Sequence, residues 1–370
     1  MAFRIFNAIH FSSDFLNGYL VVANFNRFTH KSINNGKIFE RNIMKGKNLC
    51  TVLHGKNDIR MEEREIPTPK PNQVLVRINT VGICGTDVHY WQHATLGPYT
   101  LKKPMVLGHE SSGIVAGLGS EVKGFKIGDR IALEPGVPCR ICEHCKTGKY
   151  NMCEEIRFFA NPPDDGALAR YVAHDADFCY KIADNMTMED GALLEPLSPV
   201  GLVNLLTAKA MGASKVLITD VVNSRLQMAK DIGADEILNV SGMKQSEIVE
   251  EVLKRLGGRP DAALECAGVA SSLETAVLAV KSRGAVVAIG LGAERVELPI
   301  VDAAIREVDI LGVFRYTNTW PTAIEMVSSG KVNLKGLTRA HFKLEQSKEA
   351  FNKFLKGDVV KVFIHCDDSE

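Results

Sequence analysis

Cysteine, histidine and glutamate gather in one stretch of this 370-residue chain at spacings that suit metal ions. CRICEHCKTGKYNMC holds Cys139, Cys142, Cys145 and Cys153, and a C-x2-C-x2-C-x7-C array of thiolates suits a closed, tetrahedral structural zinc. The plain alternative is four free or buried cysteines, which chance rarely crowds so tightly. A second group is scattered. GICGTDVHYW supplies Cys84, and KKPMVLGHE supplies His109 and Glu110, each where a strand-like run ends. Three protein ligands leave one position open, as a catalytic zinc requires. Taken singly, these are a core thiol, a turn histidine and a solvated carboxylate. Beside the closed site they read together as a catalytic centre. Asp87 is placed to accept a hydrogen bond from the far ring nitrogen of His109 and fix its tautomer. Glu195, in GALLEPLS, stands where the β-type sequence ends, and its carboxylate is expected to meet the metal's water.

Two kinds of sequence must position these groups. From Leu49 to about Lys181 short alternating runs are punctuated by Gly and Pro, and the region reads as all-β. The rhythm then changes. Residues 199–212, SRLQMAKDIG, SEIVEEVLKRLG and SSLETAVLAVKSRG read as helices. KVLITD, EILNV, DAALECAG, GAVVAIGLG and DILGVFRY read as the strands between and after them. Such alternation implies a doubly wound parallel sheet. From about Asn318 the tail returns to two helices and a final strand, VVKVFIHC, expected to pack on the first domain. The expected organisation is an extension at 1–47, a zinc-binding domain at 48–197 completed by 318–370, and a cofactor domain at 198–317.

The bulk composition narrows the class. Lys+Arg and Asp+Glu are both 44, so no net charge draws the chain to nucleic acid or acidic membranes. No run of about 18 apolar residues marks a transmembrane helix. Nine cysteines, four of them at metal spacing, favour a reducing compartment over a disulfide framework, and a cytoplasmic location. Residues 1–47 contain only Asp14 and Glu40 as acids and read as a disordered extension, with a mitochondrial transit segment as the alternative.

GICGTDVHYW, KKPMVLGHE, the four-cysteine lobe, PPDDG and GALLEPLS resemble the medium-chain, zinc-dependent alcohol and polyol dehydrogenases. AAIREVDILGVFRYTNTWP is similar to the sorbitol (L-iditol) dehydrogenase branch, and the similarity runs from about Leu49 to Cys366. The resemblance implies a GroES-like β-rich catalytic domain, a Rossmann cofactor domain, one catalytic and one structural zinc, and NAD. It implies oxidation of a polyol to a ketose by hydride transfer, in a homo-oligomer, a tetramer by likeness. Cys84, His109 and Glu110 match the catalytic zinc ligands, with Thr86 and Glu195 as proton-handling groups. Tyr90, Glu195, Arg315 and Tyr316 match polyol contacts. Val200, Gly201, Asp220 and Arg225 match the adenosine side of the cofactor, and Gly290, Leu291, Phe314 and Arg315 the nicotinamide side. Asp220 ends KVLITD, where a carboxylate favours ribose hydroxyls over a 2′-phosphate, hence NAD rather than NADP. A zinc-free quinone reductase relative is disfavoured by the ligand triad.

One departure from the family pattern is large. A dinucleotide domain opens with a strand, G-x-G-x-x-G and a helix. Here GALLEPLS runs directly into PVGLVNLLTAKAMG, and only Gly201 remains of the fingerprint. Three intervening residues make no strand. In the usual order 3-2-1-4-5-6 the lost strand is central, and each buried unsatisfied group on its neighbours costs about 1–3 kcal/mol. Either strands 2 and 4 close up, another segment substitutes, or the domain folds poorly. The join reads as an omitted segment of roughly 20 residues, the size of the missing helix end, strand and turn. The alternative to an active enzyme is therefore a catalytically silent zinc-binding splice variant or faulty gene model.

Overall fold

A computed structural model describes residues 47–367 except 197–199, 291 and 293. The expected extension over 1–47 therefore lies outside the described residues save for Lys47. The strand Gln73–Gly82 (QVLVRINTVG) is the spine of the β-rich part. Val74, Val76, Ile78 and Val81 are fully buried, because both its faces and both its edges are covered. It pairs antiparallel with Glu110–Leu118 on one side and with Lys361–His365 on the other, while Tyr171–Asp175 also pairs with its first half. Arg130–Leu133 and Cys179–Lys181 extend the sheet at one end, and Arg339–Lys343 closes the other. The tail is thus hydrogen-bonded into the first sheet. The helix Ser347–Lys356 packs there too, with Phe351 edge-on to Trp91 at 5.6 Å.

The β-rich part is not all-β. Gly85–His93 is a helix, opened by Asp87 Oδ2 accepting the Cys84 N–H and closed by Ala94 in the left-handed region at φ 56°. Its apolar residues Val88 and Trp91 lie three apart and face the core, a helical period hidden beside the turn-like Gly-Thr-Asp. A second short helix, Met188–Leu193, is capped by Thr187, whose hydroxyl accepts the Asp190 N–H at 3.0 Å.

In the alternating part every expected helix and strand is present. The strands, however, form two separate parallel sheets. Leu217–Asp220 pairs with Glu236–Asn239, and Ala262–Glu265 pairs with Ala285–Ala288, which pairs with Asp309–Gly312. Leu217–Asp220 and Ala262–Glu265, the neighbours the lost strand would have had, do not pair, and no described strand pairs with both. Strands covered on both faces bury almost completely. Here only the middle strand Ala285–Ala288 does so, and Leu217–Asp220 remains half-exposed throughout. Helix contacts hold the halves together instead, through Ile248, Val252 and Ala279 around Leu238. Gly201 lies in the helix Val200–Ala210, and a Cβ there would meet nothing within 4 Å. A glycine in that position ordinarily permits close helix–strand packing, and here there is no strand to approach.

Amide exchange measured by mass spectrometry will show Leu217–Asp220 and Ala262–Glu265 exchanging roughly 100-fold or more faster than Gln73–Gly82. Equal protection of the three strands would mean that the half-sheets are joined.

Candidate active site

The ligand triad is assembled at two strand ends. Cys84 follows Gln73–Gly82, while His109 precedes and Glu110 opens the neighbouring strand Glu110–Leu118. The donor atoms of Cys84, His109 and Glu110 lie within 4.8 Å of one another. Gly82 faces Glu110 across the pairing, and a Cβ on it would stand 2.2 Å from Glu110 Oε2, so only glycine leaves the carboxylate its space. Asp87 is where the sequence placed it. Its Oδ1 lies 3.3 Å from His109 Nδ1 and accepts the Gly108 N–H at 2.9 Å. Burial opposes ionisation of Asp87, but His109 and the N–H groups of Gly108 and Cys84 outweigh it and hold the carboxyl below its usual range. With Nδ1 committed to Asp87, His109 presents Nε2 to the site.

Glu110 is fully buried, and its Oε2 meets the ammonium of Lys361, itself 3% exposed. Sequence reasoning missed Lys361. The available signal was a lone charge in VVKVFIHC, a strand otherwise apolar until its histidine. No described group hydrogen-bonds Glu110 Oε1, an orphaned oxygen that a cation beside Cys84 and His109 would satisfy.

Glu195 and Tyr316 come together although 121 residues apart, with the Tyr316 hydroxyl donating to Glu195 Oε1 at 2.7 Å. Burial raises the Glu195 carboxyl to about 7, with Glu110 adding to the rise and His109 and Tyr316 countering it. Burial also pushes the Tyr90 hydroxyl up to about 12, and that hydroxyl donates to Asn161 Oδ1 at 3.1 Å. Arg315 has its guanidinium 4.0 Å over the Phe158 ring, and its buried Nη1 lacks a hydrogen-bond partner. Phe158 and Asn161 had no signature in the sequence. Thr86 is half-buried on the first turn of the helix behind Cys84.

The four-cysteine lobe is also assembled. Its sulfurs lie within 4.8 Å of one another, with Cys142 and Cys145 3.4 Å apart and Cys139 and Cys145 3.9 Å. Zinc–sulfur bonds of about 2.3 Å require sulfur separations near 3.8 Å, so the lobe fits the ion. The backbone N–H groups of Ile141 and Cys142 lower the Cys139 thiol to about 7, toward the thiolate a metal needs. This lobe also holds Arg315 and Tyr316 in place. Asn151 Nδ2 donates to the Phe314 carbonyl at 2.7 Å, and the Asn318 N–H donates to the Tyr150 hydroxyl at 2.9 Å. Tyr150 in turn donates to Glu134 Oε1 at 2.7 Å, and Tyr180 donates to Oε2 at 2.9 Å.

The expected cofactor residues are less gathered. Asp220 Oδ1 accepts the Val222 N–H at 2.8 Å, and Arg225 Nη1 lies 3.9 Å from Asp220 Oδ2. Gly290 packs on Gly268 so closely that a Cβ would stand 2.1 Å from the Gly268 nitrogen. Phe314 is 39% exposed beside Arg315. Val200 and Gly201 begin a helix with no strand ahead of it among the described residues of that stretch, and Leu291 lies outside the described residues.

Comparison with known proteins gives the family and the fold. Residues 70–184 match the alcohol dehydrogenase GroES-like domain, and 199–329 match the zinc-binding dehydrogenase domain. Sorbitol dehydrogenase of Mus musculus is 49% identical over 349 residues, covering 88% of this chain and 98% of the mouse protein, and that of Homo sapiens is 48% identical over the same shares. Since 88% of 370 residues is about 326, about 23 aligned positions of the mouse protein face no residue here. Among solved structures, an Escherichia coli oxidoreductase of unknown specificity superposes with a TM-score of 0.82 at 31% identity, covering 87% of this chain and all of that one. Escherichia coli L-idonate 5-dehydrogenase superposes at 0.79 with 28% identity, covering 87% and 99%.

Replacing Lys361 by Met leaves Glu110 buried without its counter-ion and will lower stability of the metal-free protein by about 3–5 kcal/mol in urea denaturation. An unchanged midpoint would remove the pair from the list of interactions that matter. Glu134 gives a pH test. Burial raises its carboxyl to about 7, against the pull of Tyr150 and Tyr180. A raised folded value means the protonated form is favoured by folding. The contribution is complete below the unfolded value of 4.5 and is lost as pH rises through 7. Glu134→Gln will therefore gain on the parent by on the order of 3 kcal/mol between pH 4.5 and pH 8. A constant difference across that range would refute the assignment.

Proposed function

The chain belongs to the sorbitol dehydrogenases of the zinc-dependent medium-chain dehydrogenase family, and from that membership we propose NAD-linked oxidation of a polyol, such as sorbitol, xylitol or L-iditol, to the ketose. The observation that carries this reading is the Glu195–Tyr316 hydrogen bond at 2.7 Å, in the field of the Cys84, His109 and Glu110 triad.

Cys84, His109 and Glu110 would hold a catalytic zinc, and the four cysteines of the lobe a structural one. Zinc in the triad supplies the Lewis acidity that lowers the pKa of a coordinated hydroxyl. The remaining work belongs to the chain. Asp87 keeps His109 in the tautomer that offers Nε2, and Lys361 balances the Glu110 charge where water does not reach. Glu195, titrating near 7, exchanges a proton at a carboxylate oxygen under neutral conditions, and Tyr316 orients it. Arg315 offers its unpartnered Nη1 to a substrate hydroxyl, and Tyr90 lines the same space. Thr86 stands beside Cys84 as the outward proton path. In this reading residues 48–197 with 318–370 are the catalytic domain and 198–317 the cofactor domain. The chain is a cytoplasmic homo-oligomer, a tetramer by likeness.

For the nicotinamide cofactor the fit is partial. Asp220 and Arg225 suit an adenosine ribose, and Gly290, Phe314 and Arg315 the nicotinamide side. The pyrophosphate lacks its usual glycine cradle, because the sequence ahead of the helix Val200–Ala210 carries no G-x-G-x-x-G and no described strand leads into it. That misfit favours a second reading, in which the chain is a zinc-binding but catalytically silent form of the enzyme lacking one coding segment. The two open half-sheets and the 23 or so unmatched positions support it.

Calorimetric titration of the zinc-replete chain with NAD separates the readings. Micromolar binding establishes the first. An absence of heat at millimolar NAD, with zinc confirmed by elemental analysis, establishes the second.

A further inference from the structure

Outside the two zinc sites, one further group of side chains has the chemistry and spacing of a metal centre. Glu189 projects from the first turn of the helix Met188–Leu193. His341 and His365 come from the parallel strands Arg339–Lys343 and Lys361–His365, two register positions apart. Their rings stack at 5.3 Å with only 9° between planes. His341 Nδ1 lies 3.1 Å from His365 Nε2 and 3.3 Å from Glu189 Oε1, and His365 Nε2 lies 4.0 Å from that same oxygen. A tetrahedral ion with bonds of about 2.0–2.1 Å to nitrogen and oxygen needs ligand separations near 3.3–3.4 Å. Two sides of the triangle, 3.1 and 3.3 Å, are close to a face of that tetrahedron, and the third, 4.0 Å, shortens when the ion draws Glu189 and His365 together.

The hydrogen bonding around it prepares the donors. Thr80 Oγ1, buried, donates to Asn79 Oδ1 at 2.8 Å, so toward His365 it acts as an acceptor. His365 Nδ1 lies 3.4 Å from it and carries the proton, which leaves a bare lone pair on Nε2. That lone pair and Glu189 Oε1 both converge on His341 Nδ1, which can offer at most one N–H to the two of them. A cation satisfies all three. Arg339 is the competing charge. It binds the other oxygen of Glu189 and sits 4.0 Å from Asp190, leaving Oε1 available. The His341 side chain is 45% exposed, so an ion has a path from solvent and the fourth position can hold water.

We propose that Glu189, His341 and His365 form a third metal site, of His2Glu type, that takes zinc or a similar divalent transition ion. The ion ties the helix that leads to Glu195 to the strand that carries Lys361. It therefore braces the approach to the reaction centre from outside it, without touching substrate.

The test is a cobalt titration of the protein carrying two equivalents of zinc, the number the cysteine-containing sites hold, followed by visible absorption and by elemental analysis after desalting. One further equivalent of cobalt will bind with a d–d band and without the thiolate charge-transfer band that a cysteine site would show. The thermal midpoint will rise as it binds. His341→Gln, on an exposed side chain that the fold tolerates, will abolish that equivalent, and Glu189→Gln will weaken it at least tenfold. Both variants will keep the zinc held by the cysteine-containing sites. The proposal is overturned by absence of a saturable extra equivalent, by a thiolate band on the added ion, or by an unchanged titration in His341→Gln.

Discussion

The antiparallel pairing of the C-terminal strand Lys361–His365 with Gln73–Gly82 is the constraint on which the rest depends. Residues 83–360 separate the two strands, yet Phe363 faces Gly82 and His365 faces Thr80. That register places Lys361 against Glu110, and the absence of a side chain on Gly82 makes the space they share. A buried carboxylate is tolerated only with a partner or a metal. The seam thus permits an ionised glutamate at the floor of the reaction centre. The same seam sets His365 against Thr80, which orients its ring. Fold closure and site electrostatics are one event here, because the last strand supplies both.

The four-cysteine lobe has a similar double role. It exposes Ile141 and Met152 and has little core of its own. What it does have is a set of hydrogen bonds to the segment from Phe314 to Asn318, which carries Arg315 and Tyr316. Arg315 and Asn318 both sit at positive φ, in a backbone conformation that side chains seldom adopt unaided. The lobe holds that strained segment open to the site. Whatever closes the lobe therefore acts through these hydrogen bonds on the position of Arg315 and Tyr316.

Much of this was legible in the sequence, and the reason differs by element. The cysteine lobe is local, so spacing alone revealed it. The triad is not local, but its members are chemically unusual and each follows a strand-like run. Asp87 was readable because it lies within one helical turn of Cys84, although the helix itself was hidden by Gly-Thr-Asp. Lys361, Phe158 and Asn161 were not readable. Their roles arise from pairings across the chain that no short pattern records, and a lysine in a strand usually means a solvated face. The fate of the broken sheet was also undetermined, since sequence shows that a strand is missing but not whether its neighbours will meet. They do not: the halves meet through helix contacts around Leu238 instead.

The open edges have a consequence beyond cofactor binding. Leu217–Asp220 and Ala262–Glu265 each lie at the edge of a parallel sheet, with one row of backbone donors and acceptors unclaimed by any described strand. Such a row is a template for whichever extended segment arrives first, and in a crowded solution that is the matching edge of another copy. Natural sheets blunt their edges with charge, proline or a bulge. These strands carry little of that protection, being Leu-Ile-Thr-Asp and Ala-Ala-Leu-Glu, with one acidic residue each at the end. With both edges open among the described strands, association between copies has a ready template.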